Sequence, residues 1–385
     1  IRHQPRSRGL GDVYKRQRLN GSLLWSYDAP GIFKNPIMLY NFDSDSAPEV
    51  VVVVKGSDSS FVALLDNDGR EVFKTYLDKR VLDGTVSAVG DFNGDGSPDI
   101  IVADERGKVW WIEADGRVKE GYPRQLTTNG RGTSVAGGDL YPEYPGEEFA
   151  AITNSGDVWL FWDTLALAHV KLDDGKWDFH VLIAPVAGDS LNVVVVSQNK
   201  VYVLNRELSV LYTLSFPSAL GCPLVSDVAP EAPGREIIGG TTEHGIHALT
   251  LKGEEVLGFP ITFSDENLPG VGSNYAETPF IADLDRDGLA DLHALTRQAA
   301  YYSWNLLVPY DSGGWNMFSA NRWNTRVYGF KPYDWVIGVR ESSRPRALVL
   351  RALPSVFKGS LRLSFSLPKE ERVRLSVFDL SGRLV

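Results

Sequence analysis

Cysteine is nearly missing: Cys222 is the only one in 385 residues. An internal disulfide is therefore excluded, and with it a disulfide-stapled small scaffold, although export is not. Next to Pro223, Cys222 reads as a small buried apolar residue. Long apolar runs are missing too, and none approaches the roughly 18 residues of a membrane helix. Helical periodicity is almost absent. There is no surplus of cations: the net charge is −10, which argues against a nucleic-acid binder with its basic patch or stripe. Histidine is sparse and scattered, at His3, His169, His180, His244, His247 and His293. His244 and His247 flank Gly245-Ile246 and read as strand or turn residues facing solvent. No G-x-S-x-G, H-E-x-x-H or phosphate loop appears. Carboxylates are plentiful, so paired-carboxylate chemistry stays open, but nothing singles out a pair.

What is present is turn chemistry and a recurring acidic loop. Gly 37 and Pro 21 suit a fold with many turns. The clearest loops are Asp91-Phe-Asn93-Gly-Asp95-Gly96-Ser97-Pro-Asp99 and Asp283-Leu-Asp285-Arg-Asp287-Gly288-Leu289-Ala-Asp291. A worn copy is Asn41-Phe-Asp43-Ser-Asp45-Ser46-Ala-Pro48-Glu49. Two further copies, starting at Asp139 and Asp227, share the wording D-x-x-P-E-x-P-G-x-E and end at Glu148 and Glu236. A degenerate copy ends at Asn192, before a run of valines. The anchors recur roughly every 43–56 residues, a period that marks a repeat architecture.

Each period repeats the same parts. An apolar strand enters the loop (Val86–Val89, Phe280–Ala282), and a β-branched strand leaves it (Ile100–Val102). A hairpin follows, and then an aromatic strand: 108–114, 157–163 or 200–205. A closing turn often reads Gly-aromatic-Pro, as at Gly121-Tyr122-Pro123 and Gly258-Phe259-Pro260. About four short antiparallel strands per period, repeated about six times, predict an all-β chain whose main part is a β-propeller. Six blades of four strands are expected, with seven the alternative. Trp110, Trp111, Trp159 and Trp162 are expected to fill the space between blades. Asn20–Tyr27 reads as an orphan third strand.

The loop spacing carries a ligand chemistry. Calcium takes six to eight hard oxygens, and residues 1, 3 and 5 of a tight turn point their oxygens to one side. The expected ligands are Asp91, Asn93, Asp95, Asp99 and the Ser97 carbonyl; then Asp283, Asp285, Asp287, Asp291 and the Leu289 carbonyl. Asn41, Asp43, Asp45 and Glu49 form the third candidate set. Gly96 and Gly288 permit the sharp bend. The ninth residue is expected to bind with both oxygens. The competing reading is that these side chains cap turn amides and hold no metal. In the two proline-bearing loops the prolines displace ligand positions, so there the acidic ends are expected to pin the turn. Exposed calcium loops of this kind bind on the order of 10⁻⁴–10⁻³ M, and the expected role is rigidity.

These motifs resemble the FG-GAP and VCBS repeat families over about residues 18–328, and the aromatic strands also resemble PQQ-type quinoprotein repeats. The segment Trp315–Thr325 resembles the closing element of such propellers. The resemblance implies a calcium-stabilised scaffold for a protein or glycan ligand, monomeric, with neither a nucleic-acid partner nor a membrane span. The alternative is a secreted propeller enzyme: a polysaccharide lyase, a glycosidase or a quinoprotein-type dehydrogenase.

The two ends read differently from the middle. Residues 1–17 fit nothing downstream, have no apolar signal core and look like a translated cloning adaptor, so a lost leader is expected. After a linker at 329–347, residues 348–385 alternate with period two, at Leu361–Leu367 and Val373–Phe378. Pro354-Ser-Val-Phe357, Ser364–Pro368 and Val377–Val385 resemble the start of FlgD-like and type IX secretion sorting modules. That likeness implies a truncated Ig-like sandwich and a secreted or cell-surface protein.

Overall fold

The structure, a computed structural model, describes residues 13–18, 20–33, 36–43, 45, 47–82, 85–128, 130–172, 179–241, 245–262, 278–295, 301–317, 320–321, 325–329, 349–353 and 362–366. The chain falls into two units, Ile1–Pro332 and Tyr333–Val385. Among the described residues there is no α-helix.

The first unit opens on a hairpin of β1 (Val13–Gln17) and β2 (Leu23–Asp28). Residues 13–17, set apart from the fold on sequence, are thus paired with the strand that follows them. The reason is local: VYKRQ can lie as an extended strand, and Tyr14 packs edge-on against Trp25 with ring centroids 5.3 Å apart.

Six antiparallel sheets follow in chain order. The first holds β3 (Ile32–Phe33), β4 (Met38–Tyr40), β5 (Glu49–Lys55), β6 (Ser60–Leu65) and β7 (Glu71–Tyr76), with both β3 and β4 on one edge of β5. The second is β8 (Ala88–Gly90), β9 (Asp99–Ala103), β10 (Lys108–Ile112) and β11 (Arg124–Gln125). The third is β12 (Gly132–Gly138), β13 (Glu148–Thr153), β14 (Asp157–Trp162) and β15 (Leu165–Lys171). The fourth is β16 (Phe179–Pro185), β17 (Leu191–Ser197), β18 (Lys200–Leu204) and β19 (Val210–Ser215). The fifth is β20 (Leu224–Ser226), β21 (Glu236–Thr241) and β22 (Gly245–Leu249). Single bridges from Ile261 and Glu255 to Ile246 and Leu249 take the place of its fourth strand. The sixth is β23 (Phe280–Ala282), β24 (Leu289–Leu295) and β25 (Tyr301–Pro309).

Each second strand is covered on both faces, which explains its unbroken apolar run. Along β5, Val51 and Val53 pack towards Ile100, Val102 and Trp110 of the second sheet. Val50, Val52 and Val54 face the other way, against Tyr14, Trp25 and Tyr27 of the opening hairpin. Trp111 and Phe149 likewise join the second and third sheets, edge to face at 5.6 Å.

The segment after β25 ties the first strands of the sheets together. Trp315 bridges Val225 of β20. The Asn316 carbonyl accepts the Ile281 amide of β23 at 2.8 Å. The Thr325 carbonyl accepts Val89 of β8 at 2.9 Å, and the Arg326 carbonyl accepts Gly137 of β12 at 2.8 Å. The Arg326 side chain is fully buried. It donates to the Val135 carbonyl (3.2 Å), to Ser134 Oγ (3.0 Å) and to the Val181 carbonyl of β16, while its Nη1 faces Cys222 Sγ at 3.7 Å. Its guanidinium also sits 5.3 Å from the centre of the Trp315 ring. Cys222 is buried, as its sequence context suggested.

In the second unit, β26 (Val349–Leu353) pairs antiparallel with β27 (Arg362–Ser366). The strand expected at 373–378, and the expected linker apart from Gly329, lie outside the described residues.

The Arg326 side chain ties β12 to β16 and reaches Cys222, so its loss leaves buried acceptors without that donor, at about 1–3 kcal/mol each. Arg326→Met is expected to lower the thermal midpoint by at least roughly 4 °C. Arg326→Lys is expected to fail to restore it, because one ammonium cannot span the same fork of acceptors. Thermal unfolding of the three proteins checks this; equal midpoints would refute it.

Candidate functional site

The acidic loops join the first and second strands of the sheets. One hydrogen bond recurs in all six. A residue within the first three of the second strand turns a side-chain oxygen back onto the amide of the loop's second or third residue. Glu49 Oε2 accepts Phe42 N at 2.6 Å, and Asp99 Oδ2 accepts Phe92 N at 3.3 Å. Glu148 Oε2 takes Leu140 N and Tyr141 N at 2.8 and 3.0 Å. Asn192 Oδ1 takes Val186 N and Ala187 N at 3.1 and 3.0 Å. Glu236 Oε2 takes Val228 N and Ala229 N at 2.9 and 3.0 Å. Asp291 Oδ2 takes Leu284 N at 3.3 Å. The position expected to give both oxygens to a metal therefore commits one of them to the backbone.

The candidate ligands divide unevenly. In the first loop, carboxylate oxygens of Asp43, Asp45 and Glu49 lie within 4.8 Å of one another. Asn41 joins them through Nδ2, which donates to the Asp45 carbonyl at 2.5 Å. Glu49 Oε1 is buried without a hydrogen-bond partner. Burial, reinforced by Asp43 and Asp45, pushes Glu49 up to about 7. In the sixth loop, Asp283, Asp285 and Asp287 converge equally closely, and Asp283 Oδ1 is likewise buried and unpartnered. Asp283 Oδ2 accepts Gly288 N at 3.1 Å, and Asp287 Oδ1 accepts Leu289 N at 2.8 Å. A convergent set of hard oxygens, one of them buried and unsatisfied, fits a calcium ion.

The loop with the best spacing behaves differently. Asp91 gives its two oxygens to Asp95 N and Gly96 N, at 3.1 and 2.9 Å. Asn93 Oδ1 also takes Asp95 N, at 3.1 Å. Asp95 takes Ser97 N and the Asn93 amide, at 2.7 and 2.9 Å. Burial works to raise Asp95, but these donors outweigh it and leave its pKa lowered. Among the described residues, Asp91, Asp95 and Asp99 do not form a close carboxylate group. Burial pushes Asp99 up to about 7. Its side chains cap turn amides as those of the first and sixth loops also do, but without their convergence of carboxylates.

Two other expectations change. His247 does not face solvent: it is buried, with Nδ1 2.8 Å from Glu255 Oε2. His244 lies outside the described residues. Trp110 and Trp111 fill the core as expected, but Trp162 does not. It stacks on Tyr144 of the third loop at 4.5 Å, and Tyr144 stacks on Tyr141 at 5.7 Å. Single-sequence periodicity gives no signal for this ladder, because Tyr141 and Tyr144 lie in an irregular turn.

A family model of FG-GAP-like repeats matches residues 41–102 and 91–140, the first two acidic loops and the approach to the third. No curated protein matches the sequence. Among solved structures, the Dos1 propeller is 14% identical, covers 77% of this chain and 73% of its own, and superposes with a TM-score of 0.50. The chain is a repeat β-propeller. The Bacillus licheniformis rhamnogalacturonan lyase PL11 is 12% identical over 77% of this chain and 65% of its own, with a TM-score of 0.48. The rhamnogalacturonan lyase YesW is 15% identical over 74% and 49%, with a TM-score of 0.47. Identities this low speak to fold alone.

The capping glutamates of the proline-bearing loops make the propeller sensitive to pH. Burial pushes Glu148 and Glu236 up to about 7, and Asp139 and Asp227 add to the shift. A raised carboxyl binds its proton more tightly in the folded state. Its contribution is thus full below the unfolded value near 4.5 and lost as pH rises through about 7. Glu148→Gln/Glu236→Gln keeps an oxygen for the loop amides and removes the charge. The double variant is expected to melt roughly 2–4 °C above the parent at pH 8 and with it at pH 5. Parallel melting curves at the two pH values decide the matter.

Proposed function

We propose that the protein is an exported, calcium-stabilised β-propeller that works as a binding scaffold for a protein or glycan ligand. The observation that carries the reading is the occupied centre. Where the first strands of five sheets meet the 311–329 segment, the space is taken by Arg326 and Trp315, both fully buried. Arg326 meets neutral acceptors there, and burial, with the Arg326 charge adding to it, holds His180 down to about 4. A central funnel used for chemistry would need convergent charged or aromatic groups open to a substrate. A filled centre instead leaves the rims and loops as the working surface.

Calcium is assigned to the first and sixth loops, through Asp43, Asp45 and Glu49, and through Asp283, Asp285 and Asp287. Bound there, the ion neutralises clustered carboxylates and fixes the loop. The 91–99 loop holds its shape by its own hydrogen bonds and gains less. Export rests on the resemblance of 354–357, 364–368 and 377–385 to secretion sorting modules.

Calcium at about 5 mM, several times the dissociation constant expected of such loops, is expected to raise the thermal midpoint by a few degrees over chelated protein. Asp43→Asn/Asp285→Asn is expected to abolish that gain, whereas Asp95→Asn is expected to keep most of it. A midpoint indifferent to calcium in the parent protein would overturn the assignment.

A further inference from the structure

A cleft of ≈ 550 Å³ opens between the third and fourth sheets on the acidic-loop side. Its walls are apolar: Pro142 from one loop, Leu191 from the next, and Leu211, which is 46% exposed, from β19. Its polar groups are dominated by two exposed carboxylates, Asp139 and Asp189. The cation on its lining, Arg206, is already engaged. It pairs with Glu143 at 3.3 Å and Glu207 at 3.1 Å, and lies 4.5 Å from the centre of the Tyr141 ring. Among the described residues, neither Asp139 nor Asp189 has an ion-pair partner.

A second observation stands beside these acids. Glu148 is fully buried, and its Oε1 has no hydrogen-bond partner. Burial raises both Asp139 and Glu148, and negative charge nearby adds to it: Glu143 acts on Asp139, and Asp139 acts on Glu148. Asp139 and Asp189 thus line the cleft beside one cation, Arg206, which Glu143, Glu207 and the Tyr141 ring already hold.

We propose that this cleft receives a lysine or arginine side chain from a basic segment of a partner protein. The match is in two parts. The aliphatic stem of such a side chain lies along Pro142, Leu191 and Leu211, and the cationic head reaches Asp139 and Asp189. Arg206 on Tyr141 displays the same amphipathic arrangement at the cleft edge. A neutral glycan would use the hydroxyl-bonding groups but gain nothing from the uncompensated charge. The proposal rests on the scaffold reading and names the partner chemistry for one face of it.

Fluorescein-labelled hexalysine is the probe, at low salt, followed by anisotropy on the whole chain. Asp139→Asn/Asp189→Asn is expected to weaken binding about tenfold. A charge-matched control at two exposed acids away from the cleft, Asp58→Asn/Glu120→Gln, is expected to change it less than about twofold. Leu211→Lys, which puts a cation in the cleft, is expected to abolish it without altering the melting curve. Equal weakening by both double variants would assign the binding to net charge and overturn the proposal. Binding of cellohexaose through Asp139 and Asp189, with hexalysine indifferent to them, would also overturn it. Either outcome leaves the scaffold reading standing, since that reading is tested separately by calcium-dependent stability.

Discussion

The bond on which this structure depends is a short one: a side chain at or near the start of the second strand of each sheet accepts a backbone amide from the loop before it. It recurs from Glu49 to Asp291, through aspartate, glutamate and asparagine. The loop must reverse the chain at the edge of a buried sheet. Its first amides therefore point inward with no strand to receive them, and an unmet buried amide is costly. A carboxylate two strands' width away cannot help; one at the start of the next strand can. Repetition of the propeller is thus the repetition of a solution to one backbone problem.

Seen this way, metal binding is an addition to a capped turn. The second carboxylate oxygen of the cap is free to serve when the cap is glutamate, whose longer arm leaves Oε1 buried and unpaired at Glu49, Glu148 and Glu236. At Glu49 two further carboxylates converge on it, which is the grouping the calcium proposal uses. At Glu148 and Glu236 the prolines stand where those ligands would be, and burial, with Asp139 and Asp227 adding to it, raises their affinity for protons as burial does at Glu49.

The repeat was legible because its signals are local. The unbroken valines of β5 and β17, the aromatic strands at 108–112 and 157–162, and the Gly-aromatic-Pro turns all lie within one period. Asn192 was legible as a degenerate anchor because its neighbours kept the pattern, and it does the same capping as the acids. Spacing and carboxylate convergence rank the loops differently. Spacing put 91–99 above 41–49, yet convergence of carboxylates favours 41–49 and 283–291. Spacing fixes which residues share a turn, whereas the rotamer of Asp91 is decided by the competition of two amides for its oxygens. Arg326 was illegible for a different reason. Its acceptors are 145 to 192 residues away in sequence, so no window could contain both.

The two central residues, Arg326 and Trp315, also connect fold with use. A ring of sheets must do something with the space its first strands enclose. Here it is filled by a strap that arrives after the last sheet and bonds to the second, third, fourth, fifth and sixth. An arginine suits that place because a planar fork of donors can satisfy carbonyls from several strands at once, which no apolar side chain can. The arrangement fixes the ring but uses up its centre. Variation in the chain is then left to the loops, where one turn carries a carboxylate cluster, another an aromatic ladder, and the gap between the third and fourth sheets a pair of aspartates with no ion-pair partner among the described residues.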